Sequence, residues 1–266
     1  MEAQKKMFWE KGFYILNDFI PHCLLEQIYE LKENYLYESI FEEVYGSMDL
    51  FRFQAKITNL SNPPLKQLSD IVNDHILNMD MKWYTSKFVF LKSLPGGRNQ
   101  DYHHDFPSYE TGKAYYNYKT VQAGMLIALQ SNTALRVLGK EGSNRLVLKK
   151  GDVMIFRGDF IHSGCAYTEL NYRIHVTLNV TGIKSQLNVT EYVIPKIYKC
   201  KHCILTNESR IKINNHQRTC ISNPFKERLQ LRKKELNKGQ FFVQNAIECL
   251  SKEIPIQSTT TDQIVL

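Results

Sequence analysis

The chain has 266 residues, enough for one sizeable domain with a small appendage. Hydrophobic residues make up 43% of it and charged residues 23%, ordinary values for a chain that folds around a packed core. Its net charge of +7 is confined to one stretch: residues 1–195 carry 21 basic and 21 acidic side chains, residues 196–240 carry 12 and 3, and residues 241–266 carry 1 and 3.

The N-terminus, MEAQKKMFWEKGFYIL, lacks the apolar run of a signal peptide, and no run of about 18 apolar residues follows. The expectation is an intracellular protein, in nucleus or cytoplasm, with no membrane span and with its cysteines as reduced thiols. Residues 12–20, GFYILNDFI, read as a strand and a turn. Pro21 then opens a helix to about Tyr37, with Leu24, Leu25, Ile28 and Leu31 on one face. The stretch to about residue 80 is mixed and in part helical. Trp83 to Leu94 reads as a strand rich in β-branched and aromatic residues, stopped by the turn Pro95-Gly96-Gly97. From there to residue 195, short apolar runs alternate with turn signals. They fall at Gly124–Leu129, Leu135–Leu138, Arg145–Leu148, Asp152–Phe156, Arg173–Val180 and Glu191–Ile194, a rhythm that points to a β-sandwich or barrel.

Metal-ligand chemistry is concentrated at two places in this β-rich stretch. In Tyr102-His103-His104-Asp105-Phe106, strand alternation puts His103 and Asp105 on one face and His104 on the other. The third donor is His162, just after the strand of GDVMIFRGDFIHSG. Two imidazoles and one carboxylate on one side of a metal leave positions open on the other, the facial triad of non-haem iron(II) oxygenases. Arg173-Ile174-His175-Val176-Thr177-Leu178-Asn179-Val180 alternates polar and apolar strictly, so one face of this strand lines something polar. The planar fork of Arg173 matches a carboxylate, although a surface acid such as Glu169 is an alternative partner. His175 reads as a cavity residue beside the metal rather than a ligand. Gln100 and Tyr102 are candidates for its surroundings.

His103-x-Asp105, then GDVMIF and His162, then Arg173 eleven positions on, resemble the 2-oxoglutarate/iron(II) oxygenase superfamily and, within it, the phytanoyl-CoA-dioxygenase-like branch. The PGG turn, Gln100 and the N-terminal GFYILNDFI followed by a helix add to the likeness, which spans about residues 8–182. The resemblance implies a mainly β fold, a double-stranded β-helix or jelly roll with flanking helices. It implies Fe(II) held by His103, Asp105 and His162, with 2-oxoglutarate as cosubstrate anchored by Arg173. It also implies that O2 and 2-oxoglutarate are consumed, that succinate and CO2 form, and that a substrate is hydroxylated or demethylated. Related halogenases carry a small residue in place of the carboxylate, so Asp105 disfavours halogenation.

A second cluster reads Cys200-x2-Cys203-x12-His216-x3-Cys220, four nitrogen and sulfur donors at the spacing of a tetrahedral structural zinc site, with His202 as an alternative ligand. It resembles a ββα zinc finger with cysteine in the last position. His216 and Cys220, four apart, would share a helical face, and Tyr198 and Ile213 would supply the small core. Asn223 and Pro224 look like the start of a basic helix running to about Leu250. The expected organisation is an oxygenase domain at 1–195, a zinc module at 196–222, a basic helix at 223–252 and a disordered tail at 253–266. Residues 196–240, net +9, would bring a nucleic acid or protein partner. The same chemistry on a small molecule, or a silent metal- or nucleic-acid-binding protein, are the alternatives.

Overall fold

A computed structural model describes residues 1–40, 49–139, 142–185, 190–194, 197–207 and 209–226. The expected basic helix and tail therefore lie almost wholly outside the described residues. The chain divides into two compact units, Met1–Lys196 and Ile197–Leu266.

In the first unit the elements run α1 (Glu2–Lys11), β1 (Phe13–Leu16), α2 (His22–Leu31), β2 (Glu38–Ser39), β3 (Arg52–Lys56), α3 (Pro63–Met79), β4 (Trp83–Ser93), β5 (His103–His104) and α4 (Ser108–Tyr118). They continue with β6 (Ala123–Ala128), β7 (Thr133–Gly139), β8 (Gly142–Leu148), β9 (Val153–Arg157), β10 (His162–Gly164), β11 (Asn171–Val180) and β12 (Glu191–Tyr192). The strands form a seven-stranded sheet ordered β1-β9-β6-β11-β4-β3-β2 and a five-stranded sheet ordered β12-β5-β10-β7-β8. Every pairing is antiparallel. Two facing antiparallel sheets with helices outside one of them is the expected jelly roll.

Alternation along each strand decides what the two faces of the large sheet do. On β11, Ile174, Val176, Leu178 and Val180 are fully buried and point outward to the helices. There they meet Leu24, Leu25 and Ile28 of α2, Leu65, Leu68, Val72 and Ile76 of α3, and Phe8 of α1 in one core cluster. On the inner face Leu126, Ala128, Met154 and Phe156 meet Leu135, Val137 and Leu148 of the small sheet. One face of the sheet is thus glued to the helices and the other closes the roll.

Local chemistry explains the element ends. Pro63 and Pro64 start α3, where an N–H is not needed. The GD of GDVMIF is a turn whose Gly151 has φ 91°, a left-handed conformation open to glycine. The buried Asp152 accepts the backbone N–H of Lys149 at 2.8 Å and of Asp18 at 3.0 Å, which pins the start of β9 to the end of β1. The helix after Pro21 is shorter than its apolar pattern suggests: α2 ends at Leu31 and a 3-10 turn covers Lys32–Asn34.

The second unit, as described, is a hairpin of β13 (Tyr198–Lys199) and β14 (Thr206–Asn207) followed by α5 (Arg210–Thr219). The side chain of Ser209 caps α5 by accepting the N–H of Lys212 at 3.2 Å.

Candidate metal centre

The small sheet brings the first two histidines together. β5 and β10 pair so that His162 stands directly opposite His103. Their ring centroids are 4.7 Å apart. The expected strand through 102–106 is only two residues long, so Asp105 reaches the site from the loop after β5 rather than by strand alternation. One of its oxygens, Oδ1, lies 3.3 Å from His162 Nε2 and 3.8 Å from His103 Nε2. These three side chains form one group of donors within 4.8 Å of one another. His104 points away and is 3.8 Å from Glu191 on the neighbouring strand β12.

Hydrogen bonds orient both imidazoles. His103 Nδ1 is 2.9 Å from the carbonyl of Asp101, and His162 Nδ1 is 2.9 Å from that of Phe160. A carbonyl only accepts, so each Nδ1 carries the proton and each Nε2 presents a lone pair to the space between the rings. Burial pushes the His103 pKa down to about 4, reinforced by the charge of His162 and opposed by Asp105. Burial would lower His162 as well, but the Asp105 carboxylate reverses this and raises it. Burial would raise Asp105, yet His162 and His175 together hold it well below the usual carboxylate range. The same carboxylate that raises His162 would face a bound cation. Two imidazole nitrogens, each anchored from behind by a carbonyl, and one carboxylate oxygen fit iron(II).

The triad opens into a cavity of about 490 Å³ between the two sheets. Arg173, His175, Thr177 and Asn179 of β11 all line it, as their alternation foretold. Arg173 is 4% exposed. Its Nη1 donates to Ser93 Oγ at 3.0 Å and more weakly to Asn171 Oδ1 at 3.5 Å, and the guanidinium lies 5.3 Å from the ring centre of Tyr167. Among the described residues no carboxylate forms an ion pair with Arg173, and Glu169, the alternative partner, is exposed on the loop before β11. A buried guanidinium with neutral neighbours alone is costly unless an anion enters. Gln100 also lines the cavity, but its Oε1 is taken up by the N–H of Gly164 at 3.1 Å. Tyr102 turns its hydroxyl to Ser143 and Arg136 instead.

The structure adds residues that spacing did not reveal. Gly124 on β6 is one: a Cβ there would collide with Phe156 Cζ at 2.4 Å and crowd Asp105 Oδ2 at 3.1 Å, so glycine here leaves room for the Phe156 ring beside the carboxylate. Asn171 extends the polar face of β11 by one more alternate position, and that signal was present in the sequence. Ser93 faces Arg173 from β4, and Tyr167 approaches it from a loop; neither carried a signal.

In the second unit Cys200, Cys203, His216 and Cys220 come within 4.8 Å of one another through one donor atom each, and His202 is not among them. Cys203 Sγ is 3.2 Å from His216 Nε2. The backbone N–H groups of His202 and Leu205 approach the sulfurs of Cys200 and Cys203 at 3.4 Å each. The shared helical face expected of His216 and Cys220 is corrected: α5 ends at Thr219, and Cys220 is the extended residue after it, with φ −55° and ψ 131°. Ile213 is buried as expected, whereas Tyr198 is only half-buried.

No protein-family model matches the sequence, and no curated protein does. Solved structures do resemble the fold. HygX from Streptomyces hygroscopicus, solved with nickel and 2-oxoglutarate, superposes with a TM-score of 0.55 at 9% identity, over 68% of this chain and 88% of that one. The epimerase SnoN, solved with Fe3+, alpha-ketoglutarate and nogalamycin RO, gives 0.54 at 11%, over 70% and 86%. A prolyl hydroxylase from Trichoplax adhaerens, in complex with a hypoxia-inducible-factor peptide, gives 0.53 at 14%, over 66% and 87%. At such identities the likeness is one of fold.

Proposed function

We propose that the chain is a 2-oxoglutarate- and iron(II)-dependent oxygenase that hydroxylates, or demethylates through hydroxylation, an organic substrate. The observation that carries this is the convergence of His103, Asp105 and His162 at a cavity that also holds a buried guanidinium with no acidic partner among the described residues. In this reading the three side chains hold Fe(II), which when bound supplies the activation of O2 that decarboxylation of the cosubstrate drives. The rest is done by the chain itself. Arg173, steadied by Ser93, Asn171 and Tyr167, takes the distal carboxylate of 2-oxoglutarate and fixes its orientation. Leu91, Leu126, Leu135 and Phe156 give the cavity an apolar lining that limits water near the reacting groups. Placement in the phytanoyl-CoA-dioxygenase-like branch rests on the order and spacing of the motif residues.

Cavity size favours a small polar molecule, or one side chain of a peptide, as substrate. About 490 Å³ is the scale of small-molecule sites, and Gln54, Lys56, Thr177 and Asn179 supply polar contacts along the wall. Recruitment of nucleic acid rests on the charge of residues 196–240 alone.

The test is uncoupled turnover: anaerobically iron-loaded protein, exposed to O2, is expected to convert 2-oxoglutarate to succinate. Arg173→Ala removes a charge-assisted contact of about 1.5–3 kcal/mol, so the KM for 2-oxoglutarate should rise roughly 10- to 100-fold. A silent protein would show no succinate in either form.

We also propose that Cys200, Cys203, His216 and Cys220 hold a structural zinc. A closed four-donor site has no vacancy for catalysis, and the two amide N–H groups aimed at the sulfurs favour thiolates. Besides the two buried cysteines, Ile213 is the one fully buried apolar side chain among the described residues of this unit, too little to fold it unaided. Cys203→Ser in the full chain should lose the zinc, measured by metal analysis, and make residues 197–226 sensitive to protease. Retention of zinc in that variant would refute the assignment.

A further inference from the structure

We infer that His175 is a positioning residue that holds one oxygen of Asp105 so that the other is presented to the metal. The inference rests on the metal reading of the His103–Asp105–His162 cluster.

The two oxygens of Asp105 face different groups. Oδ1 lies between the imidazoles, 3.3 Å from His162 Nε2 and 3.8 Å from His103 Nε2. Oδ2 is buried, accepts no well-aligned hydrogen bond among the described residues, and lies 3.3 Å from His175 Nε2, within ion-pair distance. His175 lines the same cavity but is not part of the converging donor group.

The backbones behind the two residues are held differently. Asp105 follows a two-residue strand, and the final torsion of a carboxylate is broad and roughly two-fold, so left alone it would present either oxygen or both. His175 stands in the middle of β11, paired in register with Val89 of β4 on one side and Leu126 of β6 on the other. The ring of Phe156 lies 6.1 Å from the His175 ring and 4.8 Å from that of His162, so one aromatic side chain flanks both histidines. Gly124, whose Cβ would come within 3.1 Å of Oδ2, leaves the carboxylate room in this orientation. A histidine set in the middle of a paired strand, within ion-pair distance of a carboxylate oxygen that has no other partner among the described residues, is thus placed to orient that carboxylate. Partners that orient a metal ligand from behind are worth about 10- to 100-fold in metal affinity.

Manganese(II) is a suitable probe because it prefers oxygen and nitrogen donors and leaves the cysteine-rich cluster alone. Binding to the full chain is followed by loss of the free-ion electron paramagnetic resonance signal, without reference to turnover. Wild-type protein should bind a manganese that Asp105→Ala does not. His175→Met, similar in length but without a donor, should weaken binding roughly 10- to 100-fold. His175→Gln, whose amide N–H reaches a similar place, should recover most of the loss. If His175→Met does not fold, as judged by circular dichroism, His175→Gln against the shorter His175→Asn decides in the same way. Equal affinity in wild type and the donor-free variant, or no advantage of glutamine, overturns the inference and leaves the metal reading standing. Failure of wild type to bind any manganese that Asp105→Ala loses overturns both.

Discussion

Asp105→Ala is expected to give a folded chain that holds no iron and forms no succinate from 2-oxoglutarate. Two imidazoles remain, but they are neutral donors that cannot offset the charge of a divalent ion in a buried site. Changes one shell further out already cost about 10- to 100-fold in metal affinity, so loss of the charged ligand should cost more than roughly 100-fold. The fold should survive for a reason visible in the proton balance. Burial already holds His103 neutral, with a pKa near 4. The raised pKa of His162 depends on Asp105, so with the carboxylate gone burial keeps that ring neutral too. No uncompensated charge is left behind, and metal-free stability should change by no more than about 1–3 kcal/mol. Thermal unfolding separates the two effects. Wild-type protein gains stability from added iron(II), about 2.7 kcal/mol at a hundredfold excess over Kd, and the variant should gain none. An Asp105→Ala protein that still showed an iron-dependent rise in Tm, or still made succinate, would remove the carboxylate from the site.

The parts of this fold that were legible in the sequence are those where one short-range rule dominates. β11 alternates so strictly that its polar face is legible as the lining of a cavity. Gly151-Asp152 carried its own turn chemistry. The triad was legible because metal chemistry restricts the donor types, and order along the chain did the rest. Even there the route differed: Asp105 was placed by alternation through a strand that stops at His104, and the loop happens to return it to the same side. The elements that were missed lack a local signal. α1 has little amphipathic character and is held by Phe8 packed against Trp83 and Tyr14. α4, SYETGKAYYNY, contains glycine and several aromatics of modest helix propensity, so tertiary contacts decide it. β3 lay in a stretch read as mixed, and it carries Arg52, whose role depends on three segments far apart in sequence.

Arg52→Ala is expected to be among the most damaging single changes away from the metal donors. The side chain is 2% exposed although it carries a full charge. Its Nη1 donates to Asp49 Oδ2 at 2.5 Å, and Asp49 is itself 4% exposed. Its Nη2 donates to the carbonyl of Cys165 at 2.9 Å and to that of Arg98. Arg98 lies on the loop that leads to His103 and Asp105, and Cys165 directly follows β10, the strand of His162. One guanidinium on the large sheet therefore ties down both chain segments that deliver the metal donors. Truncation leaves a buried carboxylate unpaired and two carbonyls without this donor, a loss of about 3–5 kcal/mol. For a chain of this size that corresponds to a fall in Tm of roughly 10 °C. Because the damage is an unpaired charge rather than a lost attraction, adding Asp49→Leu to Arg52→Met should recover much of the stability. Turnover should not recover with it. Catalytic geometry is sensitive to displacements of about 1 Å, which can cost roughly a hundredfold, and the double variant restores the charge balance without restoring the tether to Arg98 and Cys165. Thermal unfolding and 2-oxoglutarate turnover, measured on both single variants and the double, distinguish these effects. A single variant that unfolds within a degree or two of wild type would mean that Arg52 does not hold these segments.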